Sequence, residues 1–150
     1  MSIDKDISTS KFRNEYHKAV VNLIFTHNWL MDSIKTIFDK GDITPQQYNI
    51  LRILRGAKQP LSTLQIRQRM LDKMSDTSRI VDRLIKKELV QKMVCAVDKR
   101  LVDVTITEKG LQLLDELDLY NVEMDAILKE LSNDEVIILN GLLDKLRKSN

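Results

Sequence analysis

The sequence predicts a mainly α chain with one small β-wing: a winged helix-turn-helix lobe flanked by helical segments at the N- and C-terminal ends. Three observations carry this. Apolar residues recur at spacings of three and four along most of the chain, the period of a helix with one buried face. A single stretch near residue 104 alternates with a period of two instead. Only four Gly and two Pro occur in 150 residues, too little punctuation for many short strands. That length suits one domain with one core, and 43% hydrophobic with 31% charged residues is the balance of a globular protein.

Residues 11–39 read as one long helix. Phe12, Tyr16, Ala19, Val20, Leu23, His27, Leu30, Ile34 and Phe38 form one stripe, and Val21, Phe25 and Trp29 form a second beside it. A helix with two apolar faces needs two partners, its own lobe and something else, for which a second copy is the simplest candidate. Thr44-Pro45-Gln46-Gln47 then supplies an N-cap, a Pro in the first turn and a Gln to close a capping box. The helix it opens stops near Gly56. After Pro60, Ser62 and Gln65 make another box, with Leu61 and Ile66 placed as a hydrophobic staple, and that helix runs to about Leu71.

The short turn Asp72-Lys73-Met74 leads into a further helix over 75–87, so the pair forms a helix-turn-helix. Two β-prone stretches follow, 89–97 and 101–107, with Asp98-Lys99-Arg100 between them as a charged hairpin tip. Beyond Thr107 the chain is helical again, and Ser132-Asn133-Asp134-Glu135 is a third capping box. The expected organisation is one domain over 1–150: a winged helix-turn-helix lobe over 44–107 between helical segments over 11–39 and 108–148.

Charge separates these parts. Residues 67–100 hold ten Lys/Arg against five Asp/Glu, whereas 108–150 hold five against ten. A basic middle with an acidic end points to a polyanion-binding surface that the rest of the chain does not share. In the helix over 75–87, Thr77, Ile80, Val81 and Leu84 can pack inward. Ser75, Asp76, Ser78, Arg79, Asp82, Arg83 and Lys86 then face out. Ser75, Asp76, Thr77, Ser78, Arg79, Arg83 and Lys86 are the candidate DNA contacts of this helix, since hydroxyls and Arg from its first two turns suit the major groove, where Arg can bind guanine bidentately. Taken alone, the same pattern also describes an ordinary solvated helix with Asp/Arg pairs. The hairpin tip adds weight: Arg100 is placed for a narrow minor groove, Lys99 for phosphate, and Asp98 for holding Arg100 or Arg83. Asp76 would repel phosphate, so it is expected to cap the helix or to accept from a cytosine amino group.

The wing stretch Asp98-Lys99-Arg100-Leu101-Val102-Asp103-Val104-Thr105-Ile106-Thr107 resembles the signature of the MarR regulators, with Ile106 in place of Leu. Glu108-Lys109-Gly110, Val81 to Lys87, Leu89-Val90, Thr44 to Tyr48 and Leu61-Ser62 match that family's pattern in the same order. The resemblance implies a homodimer whose first and last helices intertwine, with 11–39 and 108–148 as dimerisation helices and 44–107 as the DNA-binding lobe, binding a pseudo-palindromic operator in double-stranded DNA, as a repressor by family habit. It also implies release by a small aromatic or lipophilic effector; Phe25 and Trp29 of the second stripe are the candidate lining residues, with core packing the stronger alternative role for them. Glu88 departs from the pattern, standing where the family has Gly, and a left-handed cap kept there costs about 1 kcal/mol.

Other classes find little support. There is no HExxH, no GxSxG and no Gly-rich phosphate loop, so no enzyme activity is expected. His17 and His27 are ten residues apart, which does not suit a helical metal pair, and no metal or cofactor is expected. The lone Cys95 excludes a disulfide within the chain, and its predicted strand position marks it as structural rather than sensing. Residues 1–10 are polar around Ile3 and Ile7, and no apolar run approaches the roughly 20 residues of a membrane span. A cytoplasmic protein is the expectation. The runner-up function is a winged-helix adaptor that binds protein rather than DNA.

Overall fold

Side-chain caps decide where the helices begin. In a computed structural model, which describes residues 2–8, 11–94 and 102–148, a short α1 (Ile3–Asp6) precedes the long α2 (Glu15–Asp39). The lobe follows as α3 (Pro45–Ala57), β1 (Leu61–Ser62), α4 (Thr63–Arg69), α5 (Thr77–Lys86), β2 (Val90–Val94) and β3 (Val102–Ile106). It leads to α6 (Glu108–Asp118), α7 (Asn121–Asp125), a 3-10 turn (Ala126–Leu128) and α8 (Asn133–Arg147). All three capping boxes form: Thr44 with Gln47, Ser62 with Gln65, and Ser132 with Glu135. Each satisfies two backbone donors that a helix start otherwise leaves open. The long helix begins at Glu15 rather than 11, because Asn14 caps it by accepting from the His17 N–H at 2.9 Å.

The sheet has the order β1-β3-β2, antiparallel throughout. Its β1 strand is only two residues long. It pairs Leu61 with Val104 and Ser62 with Asp103, which joins the start of α4 to the wing. Val104 is the sheet's inward centre and is fully buried, whereas Val102 at the outer end is exposed.

One apolar core fills the lobe. Ile50, Leu51 and Leu54 of α3 meet Ile66, Val81, Leu84, Val104 and Leu114, with Leu61 and Ile66, the expected staple, both fully buried. Phe38, at the end of α2, stacks on Tyr48 of α3 with ring centroids 4.2 Å apart. Polar ties add to this on the other side of α3. Arg55 donates to Asp118 of α6 at 2.8 Å and lies 3.3 Å from Asp115, while Arg52 reaches Asp118 at 3.4 Å. The Arg55 guanidinium holds the Asp118 carboxyl below its ordinary range.

The two flanking helices are different. Only Ile37 and Phe38 of α2 are buried, and α8 buries nothing. Tyr16, Val20, Leu23 and Ile24 of α2 are exposed, as are Ile137, Ile138, Leu142 and Leu146 of α8. The stripe read from the sequence exists, but most of it faces outward. The chain exposes 11226 Å², against about 7,900 Å² for a folded monomer of this mass. Many of the exposed large apolar side chains lie on α2 and α8. Among the described residues no helix is long and apolar enough to cross a membrane.

Candidate nucleic-acid interface

The α5 helix is the centre of the site. Val81 and Leu84 are fully buried against α3 and α4, with Ile80 and Ile85 half-buried beside them. This anchoring turns Ser78, Arg79, Asp82, Arg83 and Lys86 to the outside. Arg79 has 79% of its side chain exposed and leans on Asp76 at 3.7 Å. Arg83 and Lys86 have no carboxylate partner among the described residues. Asp76 takes the role of N-cap, accepting from the Arg79 N–H at 3.2 Å.

Two expected contact residues are placed otherwise. Thr77 is 3% exposed, its hydroxyl buried without a partner among the described residues, because it occupies the inward row with Val81 and Leu84. Ser75 is half-buried, its oxygen covered beside Asp72. The neighbouring Ser75 hydroxyl, and after it the Met74 N–H, hold the Asp72 carboxyl below its ordinary value. Ser75 therefore serves the turn and Thr77 the packing, which leaves Ser78 as the hydroxyl presented outward.

The end of α5 is fixed by Glu88, which adopts a left-handed conformation with φ 61°. Its N–H donates to the Ile85 carbonyl at 2.9 Å and the Leu89 N–H to the Leu84 carbonyl at 3.0 Å, the paired bonds of a Schellman cap. Lys109 lies 3.3 Å from the Glu88 carboxylate, and the Thr107 hydroxyl donates to the Glu88 carbonyl at 2.7 Å. Gly110 completes this junction. A Cβ there would lie 2.3 Å from the Leu89 carbonyl oxygen, so only glycine lets α6 approach so closely.

The wing is tied to α5 by Lys92 of β2, which reaches Asp82 at 2.8 Å. The expected tip residues Asp98, Lys99 and Arg100, and Cys95 with them, lie outside the described residues. A polar cleft of about 290 Å³ opens beside α5, lined by Gln46, Asp72, Ser75 and Arg83 among others. A second, of about 340 Å³, lies between Gly41, Lys87, Lys109 and Glu116. Phe25 and Trp29 line neither cleft; both are exposed on α2.

Sequence reasoning did not single out Arg67, Arg69 and Lys73, which are exposed at the end of α4 and in the turn before α5. Their charge sat in the basic middle of the chain, but no spacing rule placed it next to the α5 start. The Asp82–Lys92 pair also had no signal, because it joins two elements across ten residues.

Residues 43–102 match the model of the MarR family. The HTH-type transcriptional regulator MhqR of Bacillus subtilis (strain 168) is 27% identical over 131 residues, covering 86% of this chain and 89% of that protein. A MarR transcription factor from Planctomyces limnophilus has a solved structure with TM-score 0.67 and 29% identity, over 89% of this chain and 98% of that one. A mutant MarR from E. coli complexed with operator DNA matches with TM-score 0.82 at 24% identity, over 92% of this chain and 99% of that one, a likeness that carries the fold.

Proposed function

We propose that the chain is a MarR-family transcriptional regulator, a repressor that binds a pseudo-palindromic operator as a homodimer, a reading supported by its match to the family model over 43–102 and by its likeness to MarR-family relatives. The observation that carries the reading is the outer face of α5: Ser78, Arg79, Arg83 and Lys86 stand exposed on a helix whose opposite row is fully buried. Such a helix can enter a major groove without repacking the lobe. Arg79 and Arg83 read base edges, Lys86 meets phosphate, and Asp76 holds the helix start and steadies Arg79. Lys99 and Arg100 complete the contact from the wing, with Asp98 orienting Arg100.

Homodimerisation is supported by the exposed apolar side chains of α2 and α8, among them Val20, Leu23, Ile24, Ile138 and Leu142, which have no partner within the described residues. In this proposal 11–39 and 108–148 form the dimer and 44–107 the reading lobe, which works in the cytoplasm. A small aromatic or lipophilic effector that binds beside Phe25 and Trp29 releases the operator. Trp29 is the chain's one tryptophan, so saturable quenching of its fluorescence measures that step, and a flat titration across such compounds argues against it.

Selection of genomic fragments by the purified protein tests the main reading. Recovery of a two-fold-symmetric site, bound with a steep loss of affinity as salt rises, is the expected result. No enrichment over background would favour a protein-binding adaptor instead.

A further inference from the structure

Two large apolar side chains stand in the open where the recognition face begins. Leu71 is 87% exposed and Met74 is 93% exposed, while Met70 beside them is buried at 1%. Their backbone is fastened. The Leu71 N–H donates to the Asn49 side chain at 2.9 Å, and the Met74 N–H donates to the Asp72 carboxylate at 3.0 Å. The turn's backbone is therefore held with both side chains outward. It lies between α4 and α5, within two residues of the Asp76 cap, and belongs to neither of the apolar end helices α2 and α8.

The surroundings limit what can cover these side chains. Arg67, Arg69 and Lys73 are exposed along the same segment and have no carboxylate partner among the described residues, and Arg79 follows one turn into α5. A surface that combines unpaired cations with isolated apolar tips fits a ligand with rows of negative charge and scattered methyl groups. The major groove of duplex DNA has that chemistry, with phosphates along its edges and the thymine C5-methyl inside it.

We propose that Leu71 and Met74 are specificity-determining residues that contact thymine methyl groups in the major groove, so that the turn selects T within each half-site. The inference rests on the duplex-reading function proposed above and adds a base preference beside the α5 contacts.

The test uses the full-length protein and a duplex selected from random sequence. Each thymidine of that duplex is replaced in turn by deoxyuridine, which removes the methyl and leaves base pairing intact. The expected result is a loss of about three- to fivefold in affinity at one or two positions per half-site, the effect of one buried methyl. In Leu71→Ala or Met74→Ala, whose melting should be unchanged because both side chains are exposed, that loss should disappear at the position each residue reads. Equal sensitivity to deoxyuridine in the parent and both variants would overturn the proposal while leaving duplex reading intact. Failure to select any duplex would overturn both. Binding of the variants reduced equally on thymidine and deoxyuridine duplexes would also overturn it, because it would assign the pair a role away from the methyls.

Discussion

Replacing Gly110 by Ala adds one methyl group at the junction of α5, the sheet and α6. That Cβ would stand 2.3 Å from the Leu89 carbonyl oxygen and 2.7 Å from Cγ1 of Ile106. The side chain can turn aside, but the carbonyl is backbone and must move by most of an ångström. The same oxygen accepts the Thr107 N–H at 3.1 Å, so its displacement also weakens the bond that joins the sheet to the start of α6. Overpacking of this kind costs about 1–3 kcal/mol, and a weakened backbone hydrogen bond adds about 1 kcal/mol. We therefore expect Gly110→Ala to destabilise the protein by about 2–4 kcal/mol. Gly56→Ala is the control. Its site lies inside α3 with nothing within 4 Å, so the same methyl should stabilise there by about 0.5–1 kcal/mol. Urea unfolding at one fixed protein concentration measures both, since the stability of the proposed dimer would depend on concentration. A Gly110→Ala variant within 0.5 kcal/mol of the parent, a margin far below the overpacking cost, would refute the packing argument.

Three other outcomes follow from the same geometry. Glu88→Gly should raise stability by about 1 kcal/mol by relieving a left-handed residue; a lower urea midpoint at unchanged slope would mean that the Lys109 contact outweighs the strain. Ile24→Asp or Ile138→Asp, at exposed apolar positions of α2 and α8, should halve the mass seen by sedimentation, whereas a parent that already sediments as a monomer would contradict the dimer. Asp118 has a lowered pKa in the folded state because of Arg55. Its contribution is therefore complete above the ordinary carboxylate range and fades as pH falls through the lowered value. Asp118→Asn should flatten the acid side of the melting-temperature profile, and an unchanged profile would remove Asp118 from the account.

Local chemistry was the legible part of the fold. Thr44, Ser62 and Ser132 cap helices within the chain's own four-residue windows, so their signals needed no tertiary information. The period-two pattern around Val104 located β3 for the same reason. The two-residue β1 was missed because Leu61 and Ser62 become a strand only through pairing with Val104 and Asp103, more than forty residues away. The stretch after Thr107 was expected to be helical but its divisions were not, since α6, α7 and the 3-10 turn share one apolar pattern.

In the site, outward and inward rows of α5 followed from helical spacing, and Asp76 as a cap followed from its place before the first turn. Thr77 was assigned to both rows. The structure resolves this by burying its hydroxyl, a matter of how far α5 leans into the lobe, which spacing does not encode. Leu71 and Met74 gave no sequence signal because a turn has no period, and only solvent exposure distinguishes them from the buried Met70.

The affinity of Arg83→Ala for the selected duplex, at physiological salt, tests the central claim most directly. Arg83 is exposed and without an acidic partner among the described residues, so the substitution should leave dimer mass and melting unchanged. Loss of its contact to a base edge should weaken binding by about tenfold or more. Parent-like affinity in a folded, dimeric variant would show that the outer face of α5 does not read the DNA.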